Sequence, residues 1–274
     1  MPRRIKVFHG LVNYGTQAGL FAKELRELGH HAISVSFPDN YKRLIDCELL
    51  SGGNFFQKVL RHSFNWIKRT RLFFTHNILH YYYGTSLLPN YIDYPLAKLL
   101  GKRLIFHYLG NDVQGYKESI DKYKWTNVTY FIDKNTSEEY DRRISKRLEF
   151  ENKYADLQIV CAPVYSEFVK GSQVIPLALD IKKYCFCPHP GNSIPLILHA
   201  PTHRGFKGTE FIERAVEKLR TEGFKFDFEV AENISHDVLK TRYVDCDLFV
   251  DQILGGWYGT AAVEAMALGR PVIC

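Results

Sequence analysis

Residues 255–274 read GGWYGTAAVEAMALGRPVIC, and this stretch decides the class of the fold. Gly255, Gly256 and Gly259 make an open loop around Trp257 and Tyr258. The alanines, methionine and leucine after them suit a short helix, and that helix carries Glu264. Gly269-Arg270-Pro271 ends it, because glycine accepts a left-handed backbone and proline cannot continue the turn. From Val272 the chain is apolar and reads as a buried strand. A loop, a helix and a strand in this order form part of a βαβ repeat, so the flanking residues are expected to repeat it.

They do. Short apolar runs at 196–199, 226–230, 248–250 and 272–273 alternate with helical patterns, and Phe211, Ile212, Ala215, Val216 and Leu219 form an i, i+3, i+4 stripe. The same alternation opens the chain. A strand at 5–9 leads through a loop at 10–15 into a helix on which Leu20, Phe21, Leu25 and Leu28 share a face; Gly29 stops it before a strand at 32–37. Two more strands fall at 104–108 and 157–161. Between them Thr136 and Glu139 have the spacing of a capping box for a helix running to Tyr154. Pro188, Pro190 and Gly191 mark a break. The sequence thus predicts an α/β protein of two Rossmann-like doubly wound domains, residues 1–184 and 195–274, joined by a linker at 185–194. The second is expected to be incomplete, with an exposed apolar flank, since the sequence stops inside a strand.

Composition narrows the function classes. A chain of 274 residues with 46% hydrophobic and 14% aromatic content is not a disordered one. No run approaches the roughly 18 apolar residues of a membrane span, and the start MPRRIKVFHG is too briefly apolar for a secretory leader, which points to the cytoplasm. Six scattered cysteines fit reduced thiols. Cys185, Cys187 and His189 offer three ligands without a matching second cluster, so the reading assigns no metal site there. The net charge of +6 is uneven. Residues 1–92 hold 12 Lys/Arg against 5 Asp/Glu, and no acidic residue occurs from 49 to 92.

The chemistry concentrates at 199–209, HAPTHRGFKGT. A strand ends at His199, a loop presents Arg204 and Lys207, and the striped helix begins with Thr209 as its cap. A helix amino terminus with two cations favours an anion such as phosphate, although a solvated basic loop has the same residues. In the first half, Gly15 and Gly19 flank the loop entering the first helix; close backbone approach to a ligand and tight helix packing account for them equally well. His107 and Asp112 follow a strand in HYLGNDV, where a strand-end histidine is either structural or functional.

These segments together resemble GT-B glycosyltransferases, especially the large retaining family (family 4, group 1 type) with Glu-Ala-Met-Ala-Leu-Gly-x-Pro-Val-Ile after its donor loop. The resemblance implies that Arg204 and Lys207, with Gly15, hold a donor diphosphate. It implies that Glu264 accepts the ribose hydroxyls and that the loop Gly255, Gly256, Trp257, Tyr258, Gly259 faces the donor sugar. His107 and Asp112 would orient the acceptor or the sugar, and His80 lies in a similar segment. The family usually has a second glutamate eight positions before Glu264; here that position is Gly256, with Asp251 and Gln252 nearby. The activity implied by the resemblance is transfer, with retention, from a UDP- or GDP-sugar to a glycan or lipid-linked acceptor in cell-surface polysaccharide synthesis. No cofactor and no metal is implied, the nucleotide-sugar being a substrate. Two other readings are a catalytically weak nucleotide-sugar-binding protein and a sugar-nucleotide epimerase of the same fold.

Residues 55–74 form a basic amphipathic helix. Either it packs on the sheet with its polar face in solvent, or it lies peripherally on an anionic membrane at the cytoplasmic face. No nucleic-acid reading module accompanies the charge.

Overall fold

Parallel strands buried on both faces are written as near-continuous apolar runs, and the first of them shows why. The computed structural model describes residues 5–38 and 44–274, so Arg3 and Arg4 of the basic start lie outside the described residues. In β1 (Lys6–Leu11) every residue after Lys6 is buried. A Cβ on Gly10 would stand 2.2 Å from the Val35 carbonyl oxygen, so only glycine lets the neighbouring strand come this close. The chain continues through α1 (Gln17–Glu27), β2 (His31–Ser36), β3 (Cys47–Glu48), α2 (Phe55–Thr75), β4 (Ile78–Tyr82), α3 (Asp93–Leu99) and β5 (Arg103–Tyr108). Then come α4 (Tyr116–Lys122), α5 (Ser137–Tyr154), β6 (Leu157–Val160) and β7 (Gln173–Val174). All seven strands pair in parallel in the order β3-β2-β1-β4-β5-β6-β7. This is the doubly wound order, with its switch between β1 and β4.

The second sheet contains β8 (Leu196–His199), with α6 (Arg204–Lys207) and α7 (Thr209–Thr221) after it. Beyond these lie β9 (Asp227–Val230), α8 (His236–Asp245), β10 (Leu248–Val250), α9 (Thr260–Ala267) and β11 (Val272–Ile273). Its parallel order β11-β10-β8-β9 places the switch between β8 and β10. Two Rossmann-like α/β units are therefore present, as the apolar alternation predicts.

Several local expectations change. Leu28 is 74% exposed, because the buried side of α1 runs through Gln17, Ala18, Leu20 and Ala22. Gly29 does end that helix, at φ +85°. The Thr136 hydroxyl donates to the Asp133 carbonyl at 3.1 Å, and Asp133 caps a short turn ahead of α5. Two compact units are present: one holds the residues up to Gln114 with Arg142–Ala178, and the other holds Gly115–Asp141 with Leu179–Cys274. Tyr184 explains part of this, since it is buried with Leu198, Phe249, Ala265 and Leu268 in the second core. The segment Gly115–Asp141 carries its own small core of Tyr116, Val128 and Ile132, and the Asn127 amide donates to the Leu254 carbonyl at 3.2 Å.

Strand β4, ILHYY, escapes sequence reading because only Ile78 and Leu79 are aliphatic and His80, Tyr81 and Tyr82 make up the rest. It explains a buried histidine cluster. His9, His80 and His107 lie side by side on β1, β4 and β5, with ring centroids 4.9 Å apart for the first pair and 5.4 Å for the second. Phe21 of α1 packs its edge against His80 and His107. Burial drives His9 and His107 down to about 3, and holds His80 well below its ordinary range.

All three imidazoles are thus neutral in the folded chain at pH 7, while in the unfolded chain they titrate near 6.5. The unfolded state takes up more protons between these values, so this contribution is full above about pH 6.5 and is lost as pH falls toward about 3. Glu151 and Asp112, pushed up by burial to about 7 and about 6, act in the opposite sense over the acid range. A comparison isolates the histidines. In urea titrations between pH 7.5 and 4, His80→Asn is expected to lose stability less steeply than the parent chain; parallel curves would contradict the neutral cluster.

Candidate functional site

In open parallel sheets, ligands bind beyond the carboxy ends of the strands at the switch point, here after β8 and β10. His199 ends β8 fully buried. Its Nδ1 meets the Val250 carbonyl and its Nε2 meets the Thr209 hydroxyl, both at 2.8 Å. A carbonyl only accepts, so Nδ1 carries the proton and Nε2 accepts from Thr209. This bond fastens β8, β10 and α7 together. It also removes Thr209 from the capping role expected of it: Gly208, at φ +78°, occupies the cap position and no side chain caps α7. No side chain competes for the backbone amides at that helix start, although the Phe211 amide already donates to the Gly208 carbonyl at 3.0 Å; a helix start of this kind suits an anion.

The expected loop around Arg204 and Lys207 is itself the single turn α6, capped by the His203 imidazole on the Phe206 amide. The two cations diverge. Arg204 is half exposed and bound to Glu213 and Glu232. Lys207 turns inward, and its Nζ donates to Asp251 Oδ1 at 2.7 Å. Asp251 Oδ2 accepts the Gly259 amide at 2.6 Å. One carboxylate thus ties the lysine to the end of the glycine loop, and a Cβ on Gly259 would stand 3.2 Å from Lys207 Nζ. Gln252 holds the middle of the same loop by donating to the Trp257 carbonyl at 2.6 Å. Gly256 lies at its exposed apex with φ +68°, a conformation that disfavours a glutamate or any other side chain there. Asp251 and Gln252 consequently shape the loop. Tyr258 and Trp257 pack with their rings tilted by 33° and centroids 4.7 Å apart, and Gly255 is packed so closely that a Cβ would meet Gln252.

Glu264, on α9, is buried with one carboxylate oxygen committed. Its Oε1 accepts from the Tyr184 hydroxyl at 2.8 Å and from His236 Nε2 at 2.9 Å. Both bonds fall on the same oxygen, so Oε2 has no hydrogen-bond partner among the described residues. Burial, and then the charge of Glu264, raise the Tyr184 phenol well above its usual range and keep it a donor. Neither Tyr184 nor His236 stands near Glu264 in the sequence, and no local signal marks them.

Sequence reading also misses Gly115–Asp141. Tyr130 packs its ring where a side chain on Gly205 would be, and Phe131 meets Phe206. Asn127, almost wholly buried beside Leu254, has no partner for either atom of its carboxamide.

The remaining residues belong to the first unit. Gly15 has φ +52° and its carbonyl accepts from Gln17 Nε2 at 2.9 Å. Gly19 packs against the Leu44 carbonyl oxygen, which accounts for that glycine by close helix packing. His107 is 1% exposed with neither ring nitrogen paired. Asp112 Oδ1 accepts from the Leu109 and Gly110 amides at 3.0 and 2.9 Å, while its Oδ2 is buried without a partner. Burial pushes this carboxyl up to about 6 against the pull of the Arg147 guanidinium.

One Asp-x-Asp string does occur, Asp245-Cys246-Asp247. Its Asp247 is committed to the Leu196 amide and to Asn192, and no metal-holding group is found among the described residues. All six cysteines are free thiols, as their spacing suggests.

Neither a protein-family model nor a curated protein sequence matches the chain. Solved structures do. Sucrose-phosphate synthase from Thermosynechococcus elongatus is similar over 98% of this chain and 80% of its own, with a TM-score of 0.56 and 14% identity. An alpha-glucosyltransferase in complex with UDP-glucose and DNA containing an abasic site is similar over 98% and 78%, with a TM-score of 0.50 and 12% identity. At such identities the likeness establishes the fold, and the fold is GT-B.

The Lys207–Asp251 pair makes a measurable prediction. Both side chains are nearly inaccessible, so removing one partner strands a buried charge, which costs about 3–5 kcal/mol. Lys207→Met is expected to lower the unfolding free energy by that order, and Lys207→Met with Asp251→Asn to recover much of it, because asparagine keeps an acceptor for Gly259. Additive losses in denaturant titrations would contradict the pair.

Proposed function

We propose that the chain is a glycosyltransferase that moves a sugar, with retention, from a UDP- or GDP-sugar to a hydroxyl of a glycan or lipid-linked acceptor in cell-surface polysaccharide synthesis. The observation that carries this reading is the convergence at the β8/β10 switch point. The uncapped start of α7, Lys207, the glycine loop and the half-committed carboxylate of Glu264 all belong to one unit. Their chemistry matches the successive parts of a nucleotide-sugar.

The diphosphate would sit at the α7 amides and Lys207, with Arg204 exchanging its surface carboxylates for phosphate at little cost, since exposed ion pairs contribute little. Ribose hydroxyls would donate to Glu264 Oε2. The sugar would face residues 255–259. In the transfer step the acceptor oxygen bonds to the anomeric carbon as its bond to the diphosphate oxygen breaks. The departing phosphate takes the hydroxyl proton. Charge grows on the leaving diphosphate, so fixed donors aimed at it lower the barrier. His107 and Asp112 would orient the acceptor or the sugar; burial keeps the imidazole neutral, which suits hydrogen bonding better than proton donation.

Turnover of UDP- and GDP-sugars, monitored by nucleoside diphosphate release and product formation, tests the assignment. Lys207→Gln is expected to lower kcat/KM by about 10²-fold or more. Glu264→Gln is expected to raise KM for a ribonucleotide donor about tenfold while barely affecting the 2′-deoxy donor. Donor binding without turnover would instead favour a nucleotide-sugar-binding protein. Unchanged donor affinity in both variants would overturn the site.

A further inference from the structure

Helix α2 has its amphipathic faces reversed relative to a helix packed on a sheet. At 3.6 residues per turn, Phe55, Phe56, Leu60, Phe64, Ile67 and Phe74 occupy one half of its circumference, and all six are exposed, Phe55 by 75% and Phe56 by 78%. The other half does the anchoring. Asn65 exchanges two hydrogen bonds with the Leu50 backbone at 2.9 and 2.8 Å. Arg61 reaches the Ser51 and Gly52 carbonyls, and Arg69 donates to the Ser86 carbonyl at 2.9 Å. Only Leu72 and Phe73, near the carboxy end, are apolar and buried. The polar flank therefore fixes the rotation of the helix and presents its apolar half outward, so sheet packing of that face is excluded.

We infer that α2 is an interfacial helix that seats this unit on an anionic lipid bilayer. An exposed apolar half-cylinder with Arg71 among its side chains, on a helix that also exposes Lys58 on its other flank, fits the boundary between acyl chains and anionic headgroups. Charge selects lipid over a second copy of the chain. A symmetric α2–α2 contact would press like charges together, and residues 49–92 contain no carboxylate to relieve them. Among the described residues no helix is long and apolar enough to cross a membrane, so α2 lies along the surface. This inference stands apart from the transfer reading, because none of its residues belongs to the donor site.

Cosedimentation with vesicles tests it on the full chain. The protein is expected to bind vesicles of phosphatidylcholine with about 30% phosphatidylglycerol at about 0.1 M salt, and to bind markedly less to phosphatidylcholine alone or at high salt. The triple variant Phe56→Ser, Leu60→Ser, Phe64→Ser is expected to weaken binding at least about tenfold with an unchanged thermal midpoint, since those side chains are already in water. Lys58→Gln and Arg71→Gln should each weaken it about fivefold. Three results would overturn the inference: no binding to anionic vesicles, equal binding by the triple variant, or a dimer in sedimentation velocity that the triple variant abolishes.

Discussion

The candidate donor site depends on a single buried carboxylate. Asp251 accepts from Lys207 with one oxygen and from the Gly259 amide with the other, so it fixes the lysine and the loop to one point at the end of β10. Remove that tie and nothing else among the described residues sets where Nζ points, because the Lys207 carbonyl is only a backbone acceptor for Ile253. Low exposure strengthens the interaction and makes it costly to break. The same geometry explains why the position eight residues before Glu264 is a glycine. The loop is held so that Gly256 adopts a left-handed backbone.

Glu264 obeys a related logic. Tyr184 and His236 both donate to one carboxylate oxygen, which orients the group and leaves its second oxygen to accept. In both carboxylates, the partner residues arrive from distant parts of the chain. Gly115–Asp141 is the clearest case, since a stretch from the middle of the sequence belongs to the second unit and bonds Leu254 there.

Much of the fold is legible because buried parallel strands must be apolar and their crossovers amphipathic. The strands at 196–199 and 248–250 and the stripe on α7 coincide with their observed elements for that reason. β4 is hidden because tyrosine and histidine fill its buried rows, satisfied by stacking rather than by aliphatic packing. Leu28 misleads because helical spacing marks a face without saying where that face ends. Thr209 has the right type for a cap, but His199, ten residues earlier, claims its hydroxyl. The residues of the site are visible one by one; their partners are not, since Asp251, Tyr184 and His236 act through contacts that no local spacing encodes. Helix α2 shows the same limit: its amphipathic pattern is plain in the sequence, but only the bonds from Asn65, Arg61 and Arg69 tell which half faces outward.

The central claim is that the β8/β10 switch point recognises a diphosphate. Titration calorimetry with UDP against UMP, and GDP against GMP, addresses it without need of acceptor or sugar. For the base that fits, the diphosphate should bind at least about tenfold more tightly than the monophosphate, as a second charged group engages Lys207 and the α7 amides. Equal affinity for mono- and diphosphate, or no affinity for either, would contradict the account.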